Sequence, residues 1–422
     1  MPRASSRDRR TPVCIVRHNY YPDTHVRRDA EALVQAGYDV SVVALRRPNQ
    51  PARETLNGVD VHRMPVGHRR GSALRYAWEY AAFAILAFLQ VTLLHLRKRF
   101  RIVEVDNMPD PLVFTALVPK LTGARVLFYI FDNMPELLMV TRRFSERHPA
   151  VRLLAFLERI SAAFADRVVV TQETARRVLQ ARGVPADKLV VVLNCPDEGV
   201  FVPEPPRRKE RRDGAFELVT HGAILERYGV QVLIEALPAI AARVPEARLQ
   251  VFGEGEHRRE LEALAERKGV AHLVRFRGLV PIDELIANLR RADAGYAGML
   301  CDNMLSNKLV EYVALGVPAV VARWSTFEHY FSDDAVAYFR PGEADDLARA
   351  IVAVHREPEL ARVRAERASE LYRFYRWPVQ RELYLGVYAD LVAPGAAAAP
   401  VAGIGAAGLR RSVSGKPTTL RG

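Results

Sequence analysis

A chain of 422 residues, 49% hydrophobic and 26% charged, is too long for one ordinary core and too apolar for a disordered protein, so two soluble domains are expected. A formal charge of +12 suits an anionic membrane face, which the basic runs at 97–101, 142–143 and 207–212 could meet, whereas no helix-turn-helix, RNA-binding or zinc-finger signature supports nucleic acid. Three scattered cysteines, Cys14, Cys195 and Cys301, and the lack of any Asp-x-Asp pair argue for a reducing compartment and against a metal site.

Residues 1–10 are basic and polar without the apolar core of a secretory signal, and are expected to be a disordered tail on a cytoplasmic protein. A short apolar run at 13–16 reads as a buried parallel strand and 18–24 as a loop. A helix at 27–36 follows, stopped by Gly37, and then a strand at 40–45. The longest apolar stretch, 74–96, could span a bilayer by length, but Glu79, Gln90 and His95 interrupt it and basic residues close it. Two placements stay open for it: lying on a membrane, with its Trp and Tyr at the interface, or packing as a core helix. Strands are expected at 102–105, 125–131, 167–171 and 189–193, each after a helical segment.

Around 203–214 the chain turns into Pro, Arg and Lys with almost no apolar residues, which marks a boundary. The alternation then restarts, with strands at 216–220, 248–252, 274–277 and 294–297 and helices at 230–243, 257–267 and 282–292. A helix at 345–355 leads to 366–392, where Trp377-Pro378 should kink a helix and let the chain cross back. The organisation expected is therefore a tail at 1–10, a first Rossmann-like domain at 11–203, a linker at 204–214, a second such domain at 215–376, a returning helix at 377–393, and a disordered Ala/Gly/Pro tail at 394–422. This is an α/β chain of two Rossmann-like domains facing a central cleft.

In such sheets ligands sit beyond the carboxyl ends of the strands, so the loops after strands carry the candidate sites. The most informative is 304–321. Ser306 and Asn307 offer N-cap chemistry, Lys308 lies in the first turn of a short helix, and Glu311 lies on the same face. Backbone N–H groups and the dipole at that helix start favour a phosphate, which Lys308 would join while Glu311 takes ribose hydroxyls. Three other loops complete a ring: Gly222 with Arg227 and Tyr228, Gly253 with Glu254, and Gly278. Each element alone also fits an ordinary solvated helix or turn.

Several segments together resemble the group 1 (family 4) glycosyltransferases of GT-B fold. They are Tyr21-Pro22-Asp23-Thr-His-Val26-Arg27-Arg28, Asn107-Met108-Pro109-Asp110, Asp132-Asn-Met134-Pro135-Glu136, Asn194-Cys-Pro196-Asp197, His221-Gly222 to Tyr228-Gly229, and Lys308-Leu-Val-Glu311-Tyr312. The likeness runs from Arg17 to about Val392. It implies a nucleotide-sugar donor on the second domain, a glycan or lipid-linked acceptor on the first near Asp23, Arg27, Arg28 and Asn107, and retention at the anomeric carbon without a metal or other cofactor. Two positions depart from the family pattern. Asn303 stands where a second carboxylate is common, and Phe131 where a His precedes Asp132. Asp132 and Glu136 are then the candidate catalytic groups, although Asp132 could equally cap the helix that follows. The function expected is glycosyl transfer to a lipid-linked or polysaccharide precursor at the inner membrane face. The alternatives are a catalytically idle protein that binds a sugar nucleotide or partner enzyme, and a sugar-nucleotide epimerase.

Overall fold

The computed structural model describes residues 10–67, 73–206, 214–302 and 304–393. The tails expected at 1–10 and 394–422, the basic run at 207–212, and Asn303 lie outside the described residues, save Arg10. The chain divides into two compact units, one running to Asn194 and resuming at Pro378, the other from Cys195 to Trp377.

The first unit carries an eight-stranded sheet. Its strands are β1 (Thr11–Tyr20), β2 (Tyr38–Leu45), β3 (Arg53–Leu56), β4 (Val59–Met64), β5 (Ile102–Asp106), β6 (Arg125–Ile130), β7 (Arg167–Val170) and β8 (Leu189–Val191). They lie in the order β3-β4-β2-β1-β5-β6-β7-β8, parallel except for the β3–β4 pair. Continuous Val/Ile runs suit strands buried on both faces. β1 extends to Tyr20, into the segment expected to be a loop, and the first helix starts early, at Thr24, because the Asp23 carboxylate accepts from the N–H groups of His25 and Val26. The β3–β4 hairpin was missed, although Asn57-Gly58 between Leu56 and Val59 signals it; both residues adopt the positive φ of a two-residue turn, 49° and 84°.

The apolar helix, Ala73–Lys98, packs one side into the core, as the second of its two expected placements has it. Phe83, Ala87, Val91 and Leu94 face the sheet and are buried, while another stripe of the same helix is exposed. The last helix, Trp377–Val392, packs Tyr384, Val387, Tyr388 and Leu391 into the other face of this sheet. No kinked long helix forms. One helix ends at Tyr372 and the next begins at Trp377, so Pro378 falls in a first turn, where its missing N–H costs nothing.

The second unit has a six-stranded parallel sheet. Its strands are β9 (Phe216–His221), β10 (Ala247–Phe252), β11 (Val274–Gly278), β12 (Ala294–Ala297), β13 (Ala319–Ala322) and β14 (Ala337–Phe339), in the order β11-β10-β9-β12-β13-β14. β14 and the helix Ser325–Tyr330 were not anticipated; both are too short to show a period. The boundary falls earlier than the Pro/Arg-rich stretch suggested. Residues from Cys195 onward already belong to this unit, where Glu204 N–H donates to the Ala314 carbonyl at 2.8 Å and Arg376 pairs with Glu198 at 2.6 Å.

Candidate functional site

In the second unit the loops after β9, β10 and β11 are knitted to one another. The Ile224 N–H donates to the Glu254 carbonyl at 3.0 Å, and the Gly253 N–H to the Gly278 carbonyl at 2.7 Å. Such a close approach requires glycine: a Cβ on Gly253, whose φ is +114°, would lie 2.0 Å from the Gly222 carbonyl oxygen. Glu254 turns to Arg258, its Oε1 2.5 Å from that guanidinium. The residues expected at this edge are thus brought together, except Asn303, which is not described.

The helix Asn307–Ala314 opens beside these loops with Ser306 as its N-cap residue, but the Ser306 side chain makes no capping hydrogen bond. Lys308 is 8% exposed, and a Cβ on Gly222 would stand 3.4 Å from its Cε. Its ammonium lies 4.3 Å from the centre of the Tyr228 ring, and the Arg227 guanidinium lies 5.1 Å from the same ring. Burial lowers the Lys308 pKa to about 8, Arg227 pushes in the same direction, and Glu311 opposes them. Glu311 is engaged by His221 through Nε2, while His221 Nδ1 lies 3.1 Å from the Tyr312 hydroxyl. His221 thus links Glu311 to Tyr312. With Glu311 turned to His221, two cations crowd one aromatic ring, an arrangement that an anion would relieve. His221 was quoted as part of a motif but not chosen as a site residue; its place at the last position of β9 is the signal.

In the first unit the candidate residues fall into several roles. Asn107 is a scaffold residue. Its Nδ2 donates to Asp110 at 3.0 Å and to the Asp132 carbonyl at 2.6 Å, and its Oδ1 accepts from the Phe131 N–H at 2.9 Å. Arg28, expected on the acceptor side, is buried and pairs with Asp29 at 3.2 Å. Asp23 combines its helix cap with an approach to Arg17, at 3.6 Å. Arg27 lies in the first turn of that helix.

Glu136 pairs with Arg182, whose Nη1 donates both to Glu136 at 3.1 Å and to the buried Glu158 at 2.6 Å. This is a cluster joining three helices, and it gives Glu136 a structural contact beside the catalytic role expected of it. Asp132 does not cap the next helix, since the N-cap of Met134–Arg142 is Asn133.

Sequence reasoning missed Arg17, His25, Asp106 and Asp110. The Arg17 guanidinium lies 4.3 Å above the Phe131 ring, which stacks on Tyr129, and its Nη1 is 4.0 Å from the buried Asp106. Burial pushes the Asp106 pKa up to about 8 against the pull of Arg17, and that of Asp110 up to about 7 against the hydrogen bond from Asn107. Burial, then Arg28, holds His25 down at about 4, so it is neutral at pH 7. Position at a strand's carboxyl end was the signal for Asp106, while Arg17 sits inside a strand that was expected to have ended.

Residues 22–195 match a family model described as "Glycosyl transferase 4-like domain", and residues 215–357 one described as "Glycosyl transferases group 1". A phosphatidyl-myo-inositol mannosyltransferase of Mycolicibacterium smegmatis is 28% identical over 224 residues, 53% of this chain and 56% of that protein. The chain thus spans about half the length of the curated relatives it matches. Among solved structures, sucrose-phosphate synthase from Thermosynechococcus elongatus superposes with a TM-score of 0.73 at 17% identity, over 90% of this chain and 99% of that one. Anabaena HepE in complex with UDP-glucose superposes with a TM-score of 0.67 at 14% identity, over 90% and 99%. These likenesses show the two-unit GT-B fold.

Proposed function

Because the chain belongs to the group 1 glycosyltransferases, we propose that it moves a sugar from a nucleotide-sugar donor, held by the second unit, to a lipid-linked or polysaccharide-precursor acceptor held by the first. The observation that carries the reading is the pair of cations, Lys308 and Arg227, on the Tyr228 ring beside the opening helix. A nucleoside diphosphate satisfies both cations, and Glu311, poised by His221, accepts ribose hydroxyls. When the glycosidic bond to the donor breaks, negative charge grows on the leaving phosphate, and fixed cations with helix N–H groups stabilise it where it develops. Retention at the anomeric carbon, independence of metal and the absence of a cofactor belong to the same proposal, in line with the family.

A lipid-linked acceptor is supported by the relatives named as phosphatidyl-myo-inositol mannosyltransferases, and work at the cytoplasmic face of a membrane belongs to the same proposal. On the first unit the acceptor would meet Arg17, Asp23 and Arg27, with Asp132 a candidate for contact with the reacting group. The test is transfer from a panel of labelled nucleotide sugars to a bacterial lipid extract. Lys308→Ala and Glu311→Ala proteins of unchanged melting temperature should lose turnover; unchanged turnover in either would refute the assignment.

A further inference from the structure

The cation and the carboxylate on the helix Asn307–Ala314 do not pair with each other. Lys308 and Glu311 stand three residues apart, on one face, a spacing at which opposite charges ordinarily meet. No ion pair forms between them among the described residues: the Lys308 ammonium lies over the Tyr228 ring, and Glu311 turns to His221. The carboxylate attracts the ammonium, yet burial and Arg227 outweigh it and bring the Lys308 pKa down to about 8. A buried ammonium left unbonded beside a carboxylate is a costly arrangement, and it persists only where something holds the two apart.

His221 supplies that hold. Its Nε2 engages Oε2 of Glu311, while Oε1 of the same carboxylate makes no hydrogen bond among the described residues and the side chain is 16% exposed. The imidazole has little freedom of its own. It is buried at the end of β9, with Nδ1 3.1 Å from the Tyr312 hydroxyl and the two rings edge to face at 5.2 Å. Tyr312 is fixed in turn. Its hydroxyl lies 3.4 Å from the carbonyl oxygens of Val219 and Tyr296, and its ring packs so closely on Gly295 that a Cβ there would fall 2.5 Å from it. The helix therefore provides the carboxylate, and the sheet, through Tyr312 and His221, decides where it points.

We infer that His221 is a positioning residue of the donor site: by holding Oε2 it keeps Glu311 off Lys308, which leaves the ammonium for the donor's phosphates and Oε1 for its ribose hydroxyls. The inference rests on the reading of a nucleotide-sugar donor and adds what keeps the two charged groups at separate tasks. Without the imidazole the carboxylate turns to the ammonium three residues away, and both contacts with the donor are lost together.

The test is calorimetric titration of the full chain with UDP and GDP and with their 2′,3′-dideoxy counterparts, which keep base and phosphates but offer Glu311 no ribose hydroxyl. His221→Asn keeps an amide near Tyr312 and is too short to reach Glu311, whereas the amide of His221→Gln reaches it. His221→Asn should weaken the dideoxy compounds about tenfold, although they make no bond to Glu311, because the carboxylate now occupies Lys308. Adding Glu311→Gln to that variant should return dideoxy affinity to the wild-type value. Glu311→Gln alone should weaken UDP and GDP and spare the dideoxy compounds, and His221→Gln should bind all four as the wild type does. A second substitution that repairs the first is not the outcome of a merely structural role for His221, whose loss the double variant would retain. With UDP or GDP still bound by the wild type, dideoxy binding that is absent, that His221→Asn leaves unchanged, or that the double variant does not recover would overturn the inference alone. Failure of all four compounds to bind the wild type would overturn the donor reading and the inference with it.

Discussion

Replacing Lys308 with Met should make the unliganded protein more stable while removing its response to nucleotides. The ammonium is 8% exposed, and burial lowers its pKa from an ordinary 10.5 to about 8. That difference corresponds to about 3 kcal/mol by which folding disfavours the charged form. The ring of Tyr228, 4.3 Å from the ammonium, returns roughly 1 to 2 kcal/mol of cation–π attraction that Met would lose. Met matches the length and needs no counter-charge, so the net expectation at pH 7 is a gain of about 1 to 2 kcal/mol. The sign has a pH signature. Between the folded value near 8 and the unfolded value near 10.5 the unfolded chain holds more protons, so wild-type stability should rise with pH across that window and the variant's should not. Urea unfolding at pH 7 and pH 10, paired with thermal shifts by UDP and GDP, measures both halves. A Lys308→Met protein that is less stable than wild type, or that nucleotides still stabilise as strongly, would refute the reasoning.

Further outcomes follow from single contacts. Gly253→Ala drives a Cβ to within 2.0 Å of the Gly222 carbonyl at a φ of +114°, and should lower stability by more than about 2 kcal/mol and abolish nucleotide stabilisation, read by thermal shift. Arg182→Ala leaves the buried Glu158 without its counter-charge and should cost about 3 to 5 kcal/mol in urea unfolding. Glu136→Gln should cost less and leave glycosyl transfer measurable, whereas a catalytic Glu136 would lose transfer at unchanged stability. Asp106 keeps its proton to about 8 when folded but releases it near an ordinary 3.8 when unfolded, so it makes wild-type stability fall as pH rises between those values. Asp106→Asn should flatten that fall in melting temperatures taken from pH 5 to pH 9.

What could be read in the chain was what period and strand-end position encode. The alternation of apolar strands and helices placed both sheets, and glycines after strands picked out Gly222, Gly253 and Gly278 before their loops were seen to touch. The helix at Asn307–Ala314 was legible for the same reason, and with it Lys308 and Glu311. Contacts between residues distant in sequence were not legible. Nothing local to Glu136 announces Arg182, and nothing local to Glu311 announces His221. The hydrophobicity of Ala73–Lys98 was plain, but its division into a core side and an exposed side depends on which sheet it meets. Pro378 misled because a proline that kinks a helix interior and one that opens a helix look alike until the preceding helix is seen to end at Tyr372.

Calorimetric titration of the full chain with nucleoside diphosphates and their sugars addresses the donor site most directly. The account predicts saturable binding of at least one of them, weakened about tenfold or more by Arg227→Ala and by Glu311→Ala in proteins that melt normally. Absence of binding across the panel, or affinity indifferent to both substitutions, would contradict it.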